Sequence, residues 1–275
     1  MVDQLKMHFD VRGALLRSAR ECEADVFLRW FGNTREQLDE EYGPYEDASV
    51  FLVVATEDDD VVACVRLIAP GGPAGFKTFA DVARPPWERD GLRAAAAVGI
   101  DPRTTWDVAT LGVRAGLGVR GTHLATALYH GLITVARVNE MSTFVAVLDE
   151  RVRRLLSSVG ITTRALPGTS TGPYLGSPAS TPVYCHFAPM LDTQRRELPD
   201  AYRLVTLGIG LDGIVVPDQE AFRLRPRRQV DLTPITLPVG PVALPTQARR
   251  DRSAAPSAQH STQHSTQGAP GASRR

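Results

Sequence analysis

The sequence predicts an α+β fold, an α/β/α sandwich around a mixed, mostly antiparallel sheet. Two apolar runs, residues 50–55 and 61–68, flank an acidic turn, which is typical of an antiparallel β-hairpin. A further apolar run, residues 107–113, leads through a glycine-rich turn into an amphipathic helix. A hairpin that precedes a strand–turn–helix unit indicates α+β organisation rather than regular alternation of strands and helices.

Composition and charge exclude several classes of protein. The 275 residues carry 31 basic and 31 acidic side chains, so the formal net charge is zero, and 43% of the residues are apolar. This balance is typical of a globular protein and lacks the basic surface expected of a nucleic-acid-binding one. No run approaches the roughly 20 apolar residues of a membrane span, and the first residues lack the apolar run of a signal peptide. We therefore expect a cytoplasmic protein with no membrane span and no nucleic-acid partner.

The cysteines argue against disulfides and against a metal site. Cys22, Cys64 and Cys185 are far apart in the sequence, and none belongs to a CxxC pair. Widely spaced single cysteines are typical of buried free thiols in a reducing compartment. The sequence therefore predicts no metal site.

The chain is predicted to contain one domain with an extension and a tail. Residues 1–188 hold the strand and helix patterns, and residues 189–228 are expected to pack on them as a C-terminal extension. Residues 229–275 are rich in Pro, Ala, Ser and Gln, a composition that cannot bury a core, so we expect this tail to be disordered. His260 and His264 lie in the tail and are expected to be inert rather than to bind metal.

The remaining elements follow from periodicity. Apolar residues recur every three or four positions over 10–31 and again over 124–135, as in helices with one buried face. In chain order we expect a helix over 10–31, a partly looped segment over 33–49, a loop with one short helix at 93–98, a helix from about Thr122, a strand over 143–148, a helix over 149–158, strands over 161–166 and 181–187, and one weak helix and strand over 191–224.

The glycine-rich turn, residues 114–121, has the chemistry of a phosphate site. Glycines let backbone N–H groups approach an anion, and the N-terminus of the following helix adds partial positive charge. Arginine side chains add full charge. The predicted contacts to a phosphate-bearing ligand are Arg114, Gly116, Gly118, Arg120, Gly121 and Thr122.

The same turn allows a second interpretation. Residues 116–121 fit the GxGxxG pattern of dinucleotide-binding proteins, and the acidic Asp149 follows the next strand. Two residues separate the strand from the first glycine, and Asp149 lies farther on than the usual distance of about 20 residues. The preceding antiparallel hairpin also differs from a doubly wound sheet. The alternative function on this interpretation is a Rossmann-type dinucleotide-binding oxidoreductase.

The order helix, hairpin, strand, glycine loop, helix, strand, helix and strand pair resembles the GNAT acyltransferase superfamily over residues 10–188. In that superfamily the strand–loop–helix unit binds the pyrophosphate of coenzyme A or the phosphopantetheine of an acyl carrier protein. Gly121 matches the key glycine of the loop, whereas His123 stands where a second small residue is usual. The resemblance implies that the pantetheine arm contacts the backbone of Leu111, Gly112 and Val113.

The N-terminal half resembles one branch of that superfamily, the autoinducer (acyl-homoserine lactone) synthases and the N-acyl amino acid synthases. The resemblance implies an N-acyltransferase that moves an acyl group from an acyl-CoA or acyl-carrier-protein thioester to an amine, either an amino acid or a similar small molecule. It implies no tightly bound cofactor, with acyl-CoA or acyl-phosphopantetheine as co-substrate. The matching positions are Val26, Phe27 and Trp30, the segment Tyr45-Glu-Asp47, the segment Val65-Arg-Leu67 with Pro70, and Asp107.

The same resemblance suggests individual roles. It groups Arg66, Asp47 and Asp107 around the amine, with Asp107 as the carboxylate that takes the ammonium proton. A buried ion pair is the competing explanation for Arg66, and a pairing or capping role for Asp107. The candidate substrate contacts are Phe27, Trp30 and Tyr184, each with core packing as the competing explanation.

Four positions depart from the pattern. Asp107 stands where the synthases usually have Glu, and Thr110 and Glu23 each stand where they usually have Arg. These differences point away from S-adenosylmethionine as acceptor and from a lactone product. Leu156 occupies the place of the tyrosine that acts as general acid in many coenzyme A-dependent members. The second hypothesis is therefore a GNAT-like module that binds an acyl thioester or a partner without catalysis.

Overall fold

One sheet forms the centre of the fold. In the computed structural model residues 4–225 are described, and they belong to one compact unit. These residues contribute nine strands, β1 Leu5–Phe9, β2 Ser49–Ala55, β3 Val61–Ile68, β4 Thr105–Val113, β5 Thr143–Asp149, β6 Arg164–Ala165, β7 Gly172–Tyr174, β8 Ser177–His186 and β9 Ile214–Val215.

The pairing of the strands is mixed and mostly antiparallel. Their order is β6-β8-β5-β4-β3-β2-β1-β9, and β7 pairs with β8 beside this row. The pairs β4–β5 and β1–β9 are parallel, and the other described pairs are antiparallel. The predicted α+β class and the predicted hairpin of β2 and β3 are confirmed. The doubly wound parallel sheet of the dinucleotide-binding alternative is wrong for this chain.

Helices cover both faces of the sheet. The chain forms α1 Gly13–Phe31, α2 Arg35–Tyr42, a 3₁₀ segment Gly43–Ala48, α3 Lys77–Val82, α4 Gly91–Ala96, α5 Val119–Val138, α6 Glu150–Ser158, α7 Phe187–Glu197, α8 Pro199–Ala201, a π-helical turn Tyr202–Thr206 and a 3₁₀ turn Gln219–Phe222.

Strand β2 shows how the two faces are filled. Successive side chains of a strand point to opposite faces. Phe51 and Val53 pack with Cys22 of α1, whereas Leu52 and Val54 pack with Leu128 of α5 in the main core. Every residue of β2 is buried, so the strand reads as a continuous apolar run rather than as an alternating one.

Three elements differ from the sequence prediction. Strand β1 was not predicted, although Met7 and Phe9 are buried and the intervening residues are less so. Helix α2 lies in the segment expected to be partly loop, and a capping box between Thr34 and Gln37 starts it. The segment 69–105 holds two helices instead of one. Helix α3 was not predicted because nearly all of its residues are buried, so its sequence shows no alternation of polar and apolar residues at the helical period.

The observed boundaries of later elements also differ from the predicted ones. Helix α5 begins at Val119 rather than near Thr122. In the predicted strand 161–166 only Arg164–Ala165 pairs, whereas β8 begins at Ser177, earlier than expected. The segment after α7 adds β9 to the sheet edge and buries Phe222 in the main core.

Some expectations concern cysteines, membranes and metals. The three cysteines are buried and free, as predicted. Within residues 4–225 no helix is long and apolar enough to cross a membrane, and no group of three His, Cys, Asp or Glu side chains is placed to hold a metal ion. The predicted disordered tail, residues 229–275 with His260 and His264, lies outside the described residues.

Candidate functional site

A gap opens between the two central parallel strands. Strands β4 and β5 pair only where Thr105, Trp106 and Asp107 face Thr143, Phe144 and Val145. Both strands then continue, β4 to Val113 and β5 to Asp149, without further pairing to each other. Backbone groups along the facing edges are therefore free to bond with something other than the neighbouring strand.

A cavity of about 80 Å³ occupies this gap, and its lining residues come from elements on both faces of the sheet. Residues 108–111 of β4 and 147–149 of β5 form its sides. On the α5 and α6 side the lining is almost wholly apolar, and on the α1 and α2 side it is aromatic. The lining of the first side includes Leu132, Phe144, Val152, Leu156 and Ile161, and that of the second includes Phe27, Phe31, Tyr42 and Tyr174.

A buried ion pair lies behind the aromatic side. The Arg66 guanidinium donates two hydrogen bonds to the Glu23 carboxylate, Nε to Oε1 at 3.0 Å and Nη2 to Oε2 at 2.6 Å. The two side chains are 4% and 2% exposed, so the pair is sealed from solvent. Thr110, which lines the cavity, donates its hydroxyl to the same carboxylate. The ion pair therefore fixes one wall of the cavity.

The position of Arg66 on β3 and its neighbours explain how this ion pair is stabilised. Arg66 lies on β3, whose face carrying Cys64 packs against α1. Its guanidinium lies 4.8 Å from the ring centre of Tyr42 and 4.7 Å from that of Phe51, and receives a further contact from Glu46 at 3.3 Å. Coulomb attraction and aromatic faces offset the desolvation of the charge, and the carboxylates keep the pKa of Arg66 above its ordinary value although burial lowers it.

A second cluster surrounds Lys77. Its ammonium donates to Asp81 at 2.9 Å, to Glu41 at 2.8 Å and to the Tyr174 hydroxyl at 3.1 Å. Tyr174 donates its own hydroxyl to Asp81. The ring of Tyr42 contacts both cations, with the Lys77 ammonium 5.1 Å and the Arg66 guanidinium 4.8 Å from its centre. Both buried cations are therefore already bound to carboxylates and covered by tyrosine rings.

Asp107 is buried beside the point where the gap opens. It is 1% exposed, and its two oxygens accept hydrogen bonds from the Thr78 backbone N–H at 2.6 Å and the Thr78 hydroxyl at 2.8 Å. Burial raises the pKa of Asp107 to about 7, against the lowering effect of the two bonds from Thr78. The carboxylate ties α3 to β4, and the β4 lining of the cavity begins one residue later, at Val108.

Among the remaining residues that were predicted to bind substrate or take part in catalysis, one lies at the cavity and the others lie away from it. Phe27 lines the cavity, whereas Trp30 is 58% exposed and Tyr184 packs in a different apolar cluster with Phe79. Asp47 is exposed, and its neighbour Glu46 supplies the carboxylate that contacts Arg66.

The glycine turn leads from the cavity wall to α5. Gly116 and Gly118 have φ of 86° and 51°, in the region that favours glycine, and α5 starts without a side-chain cap. Uncapped N–H groups in a first helical turn are available to an anion. Arg114 is held by Asp60 at 2.7 Å, whereas Arg120 is exposed, and Gly121 and Thr122 follow in the first turn of α5.

Leu111, Gly112 and Val113 pair with β3 on one edge and face the gap with the other. Gly112 also allows α1 to approach the sheet, because a Cβ there would lie 2.9 Å from the Val26 side chain. The close approach of α1 brings Glu23 and Phe27, one helical turn apart, to the ion pair and the cavity.

A substitution in the turn between β7 and β8 tests how tightly this turn packs against the end of α1, on the aromatic side of the cavity. Gly176 has φ of 80°, and a Cβ there would lie 2.0 Å from the carbonyl oxygen of Phe31. We expect Gly176→Ala to lower the free energy of unfolding by about 3 kcal/mol, since it adds backbone strain and a clash with backbone atoms. The matched control is Gly75→Ala, with φ of 69° and open space around the Cβ, for which only strain of about 1 kcal/mol is expected. Equal losses in urea denaturation would contradict the proposed clash.

Known structures show the same arrangement of elements. The CoA-dependent acyl-homoserine lactone synthase BjaI, solved with SAM and isopentyl-CoA, superposes with a TM-score of 0.51 and 14% identity, covering 80% of this chain and 97% of that one. FeeM, an N-acyl amino acid synthase from uncultured soil microbes, superposes with a TM-score of 0.51 and 11% identity, covering 70% and 95%. These likenesses show that the chain has a GNAT-type fold. No protein-family model and no curated protein matches the sequence.

Proposed function

We propose that the protein is an N-acyltransferase that moves an acyl group from a coenzyme A or acyl-carrier-protein thioester to an amine. The observation that carries the proposal is the cavity in the gap between β4 and β5, whose lining residues come from an apolar side and an aromatic side of the sheet. Two substrates that enter from opposite faces meet in such a gap. The similarity to BjaI and FeeM, an acyl-homoserine lactone synthase and an N-acyl amino acid synthase, supports the proposal.

The donor fits the gap and the glycine turn. The apolar side, with Leu132, Leu156 and Ile161, suits an acyl chain. The free edge of β4 offers backbone groups to the amides of a pantetheine arm, as a strand edge does to an added peptide. After β4 the chain passes through Gly116 and Gly118 to the uncapped start of α5. We place the phosphate groups of the donor there.

The reaction needs little acid catalysis from the protein. The protonated amine gives its first proton to water, and the free nitrogen attacks the thioester carbonyl. The C–N bond forms and the C–S bond breaks. The nitrogen releases its second proton as the thiolate leaves as a thiol. We propose N–H groups on the free edge of β4 as donors to the carbonyl oxygen, and a positioning role for Arg66 through Glu23 and Thr110.

A proton-accepting role for Asp107 stays a prediction. A carboxylate with a pKa of about 7 is a suitable base at neutral pH, but Asp107 is 1% exposed and does not line the cavity. The roles predicted for Asp47, Trp30 and Tyr184 also stay predictions, and their positions away from the cavity lining make them weaker candidates than Phe27.

Blocking the gap tests the proposed function. The purified chain is incubated with acyl-CoA donors of increasing chain length and a mixture of amines, while thiol release is followed by absorbance and products are identified by mass spectrometry. We expect Val147→Trp to lower the rate at least about 100-fold, because the indole fills the gap in which the two substrates would meet. The control is Val62→Trp, at a half-buried strand position outside the cavity lining. Unchanged turnover by a folded Val147→Trp protein would exclude the gap as the donor site.

A non-catalytic thioester-binding module is the second candidate. The observation that favours it is Leu156, which lies in the apolar cavity lining and offers no proton to a leaving thiolate. On this hypothesis wild-type protein binds an acyl-CoA, and Val147→Trp abolishes the binding, yet no donor and amine give product.

A further inference from the structure

Strand β5 ends at Asp149, whose carboxylate lines the cavity. Among the residues that line the cavity in the described part of the chain, Asp149 is the one with a charged side chain. It is half-buried and lies on the edge of β5 that no longer pairs with β4. The other lining residues are apolar or aromatic apart from Thr110, Ser177 and Ser180. A carboxylate that a ligand covers in such a lining is costly to desolvate unless something pairs with it.

The hydrogen bonds of Asp149 leave part of its capacity unused. Oδ1 accepts the backbone N–H of Arg151 at 2.7 Å, which caps α6, and Oδ2 accepts the Ser177 hydroxyl at 2.7 Å. An ionised carboxylate has about four acceptor positions. The two described bonds hold the group in place and leave about two positions for a ligand.

The surroundings of Asp149 favour a cation as that ligand. Phe27, Phe31 and Tyr174 line the same cavity, and aromatic faces attract organic ammonium ions. An anionic group would find no comparable partner, because neither Arg66 nor Lys77 lines the cavity and both are already bound to buried carboxylates. Within this lining a cation therefore meets a carboxylate, whereas an anion meets no cationic side chain.

We infer that Asp149 binds the ammonium group of the acceptor, and that the acceptor is a primary amine without a neighbouring carboxylate. The inference rests on the proposed function, because the bound amine is an acyl acceptor only if the protein is an acyltransferase. Binding of an ammonium group at Asp149 does not itself require turnover. Asp149 is then the residue that orients the amine before its nitrogen loses a proton and attacks the thioester.

Four small probes of matched chain length test the inference without any donor. They are n-pentylamine, which is protonated at pH 7, the neutral 1-pentanol, the anionic pentanoate, and norleucine, which is pentylamine with a carboxylate beside the nitrogen. Dissociation constants for the full-length protein are measured by ligand-observed NMR titration. We expect n-pentylamine to bind about tenfold more tightly than 1-pentanol and norleucine, the value of one charge-assisted hydrogen bond.

Asp149→Asn isolates the charge, because Asn is an equally good helix cap and can still bond to Ser177. We expect this variant to bind n-pentylamine and 1-pentanol equally. Asp90→Asn is the matched control, since Asp90 caps α4 through the Arg93 N–H and lies outside the cavity lining. It is expected to keep the wild-type preference.

Several results overturn the inference. They are a preference for n-pentylamine that survives Asp149→Asn, norleucine binding as tightly as n-pentylamine, and no measurable binding of n-pentylamine to wild-type protein. Failure of the proposed function looks different, because the ammonium preference and its loss in Asp149→Asn would then persist while no acyl-CoA gives product with any amine.

Discussion

Replacing Glu23 with Ala is expected to lower the free energy of unfolding by about 3–5 kcal/mol. The substitution leaves the Arg66 guanidinium, 4% exposed, without the carboxylate that accepts two of its hydrogen bonds. A buried charge that loses its partner bears the full cost of its desolvation. Thr110 loses its hydrogen-bond acceptor in the same step, so the wall of the cavity is disturbed as well. Urea denaturation at pH 7 measures the loss.

Two further variants distinguish the buried pair from a general effect of charge. Glu46 also contacts Arg66, but its side chain is 41% exposed, so Glu46→Ala is expected to cost less than about 1 kcal/mol. The double variant Glu23→Leu with Arg66→Met removes both charges, and we expect it to recover most of the stability lost by Glu23→Ala. If Glu23→Ala were as stable as wild type, the pair would not be the element that holds this wall.

Asp107 is expected to make stability fall as pH rises. Burial raises its pKa from 3.8 to about 7 in the folded protein. Below pH 3.8 the carboxyl is protonated in both the folded and the unfolded chain, and no stability is lost. Between pH 3.8 and 7 the unfolded chain releases the proton and the folded chain retains it, so stability declines. Above pH 7 the loss is complete, at about 4 kcal/mol.

Asp107→Asn removes this dependence because the amide stays neutral. We expect the variant to be more stable than wild type at pH 8, by up to about 4 kcal/mol, and nearly equal to it at pH 4. Urea denaturation of both proteins from pH 4 to 8 gives the difference, and Asp192→Asn, at an exposed carboxylate, is the control for a surface substitution. A difference that does not grow with pH would contradict the raised pKa.

The same variant tests the catalytic prediction for Asp107. If this carboxylate takes the proton from the amine, Asp107→Asn loses turnover although acyl-CoA binding is retained and stability at pH 8 rises. If it only anchors α3 through Thr78, the rise in stability comes without a comparable loss of rate. The two readouts separate a proton acceptor from a structural group.

The sequence predicted part of the candidate site. A strand as apolar as β3 cannot hold Arg66 without a partner, so a buried ion pair was foreseeable, but its partner Glu23 lies 43 residues away on another element. Lys77 and Asp81 gave no signal, because a helix of six residues is too short to show which of its faces is buried. Asp149 was visible only as an acidic residue after a strand.

Local features of the sequence determined the fold class, the β2–β3 hairpin, the glycine turn and α5. Each of these depends on the period of apolar residues, on turn chemistry or on a helix start, and all three are properties of neighbouring residues. The tertiary structure alone decided where β4 and β5 separate, and which aromatic and charged side chains meet there. Those groups come from α1, α2, α3 and the β7–β8 turn, which approach one another only when the sheet and its two covering layers are complete. Burial and pairing of charge are long-range consequences of packing, so the chemistry of the cavity is a property of the folded chain.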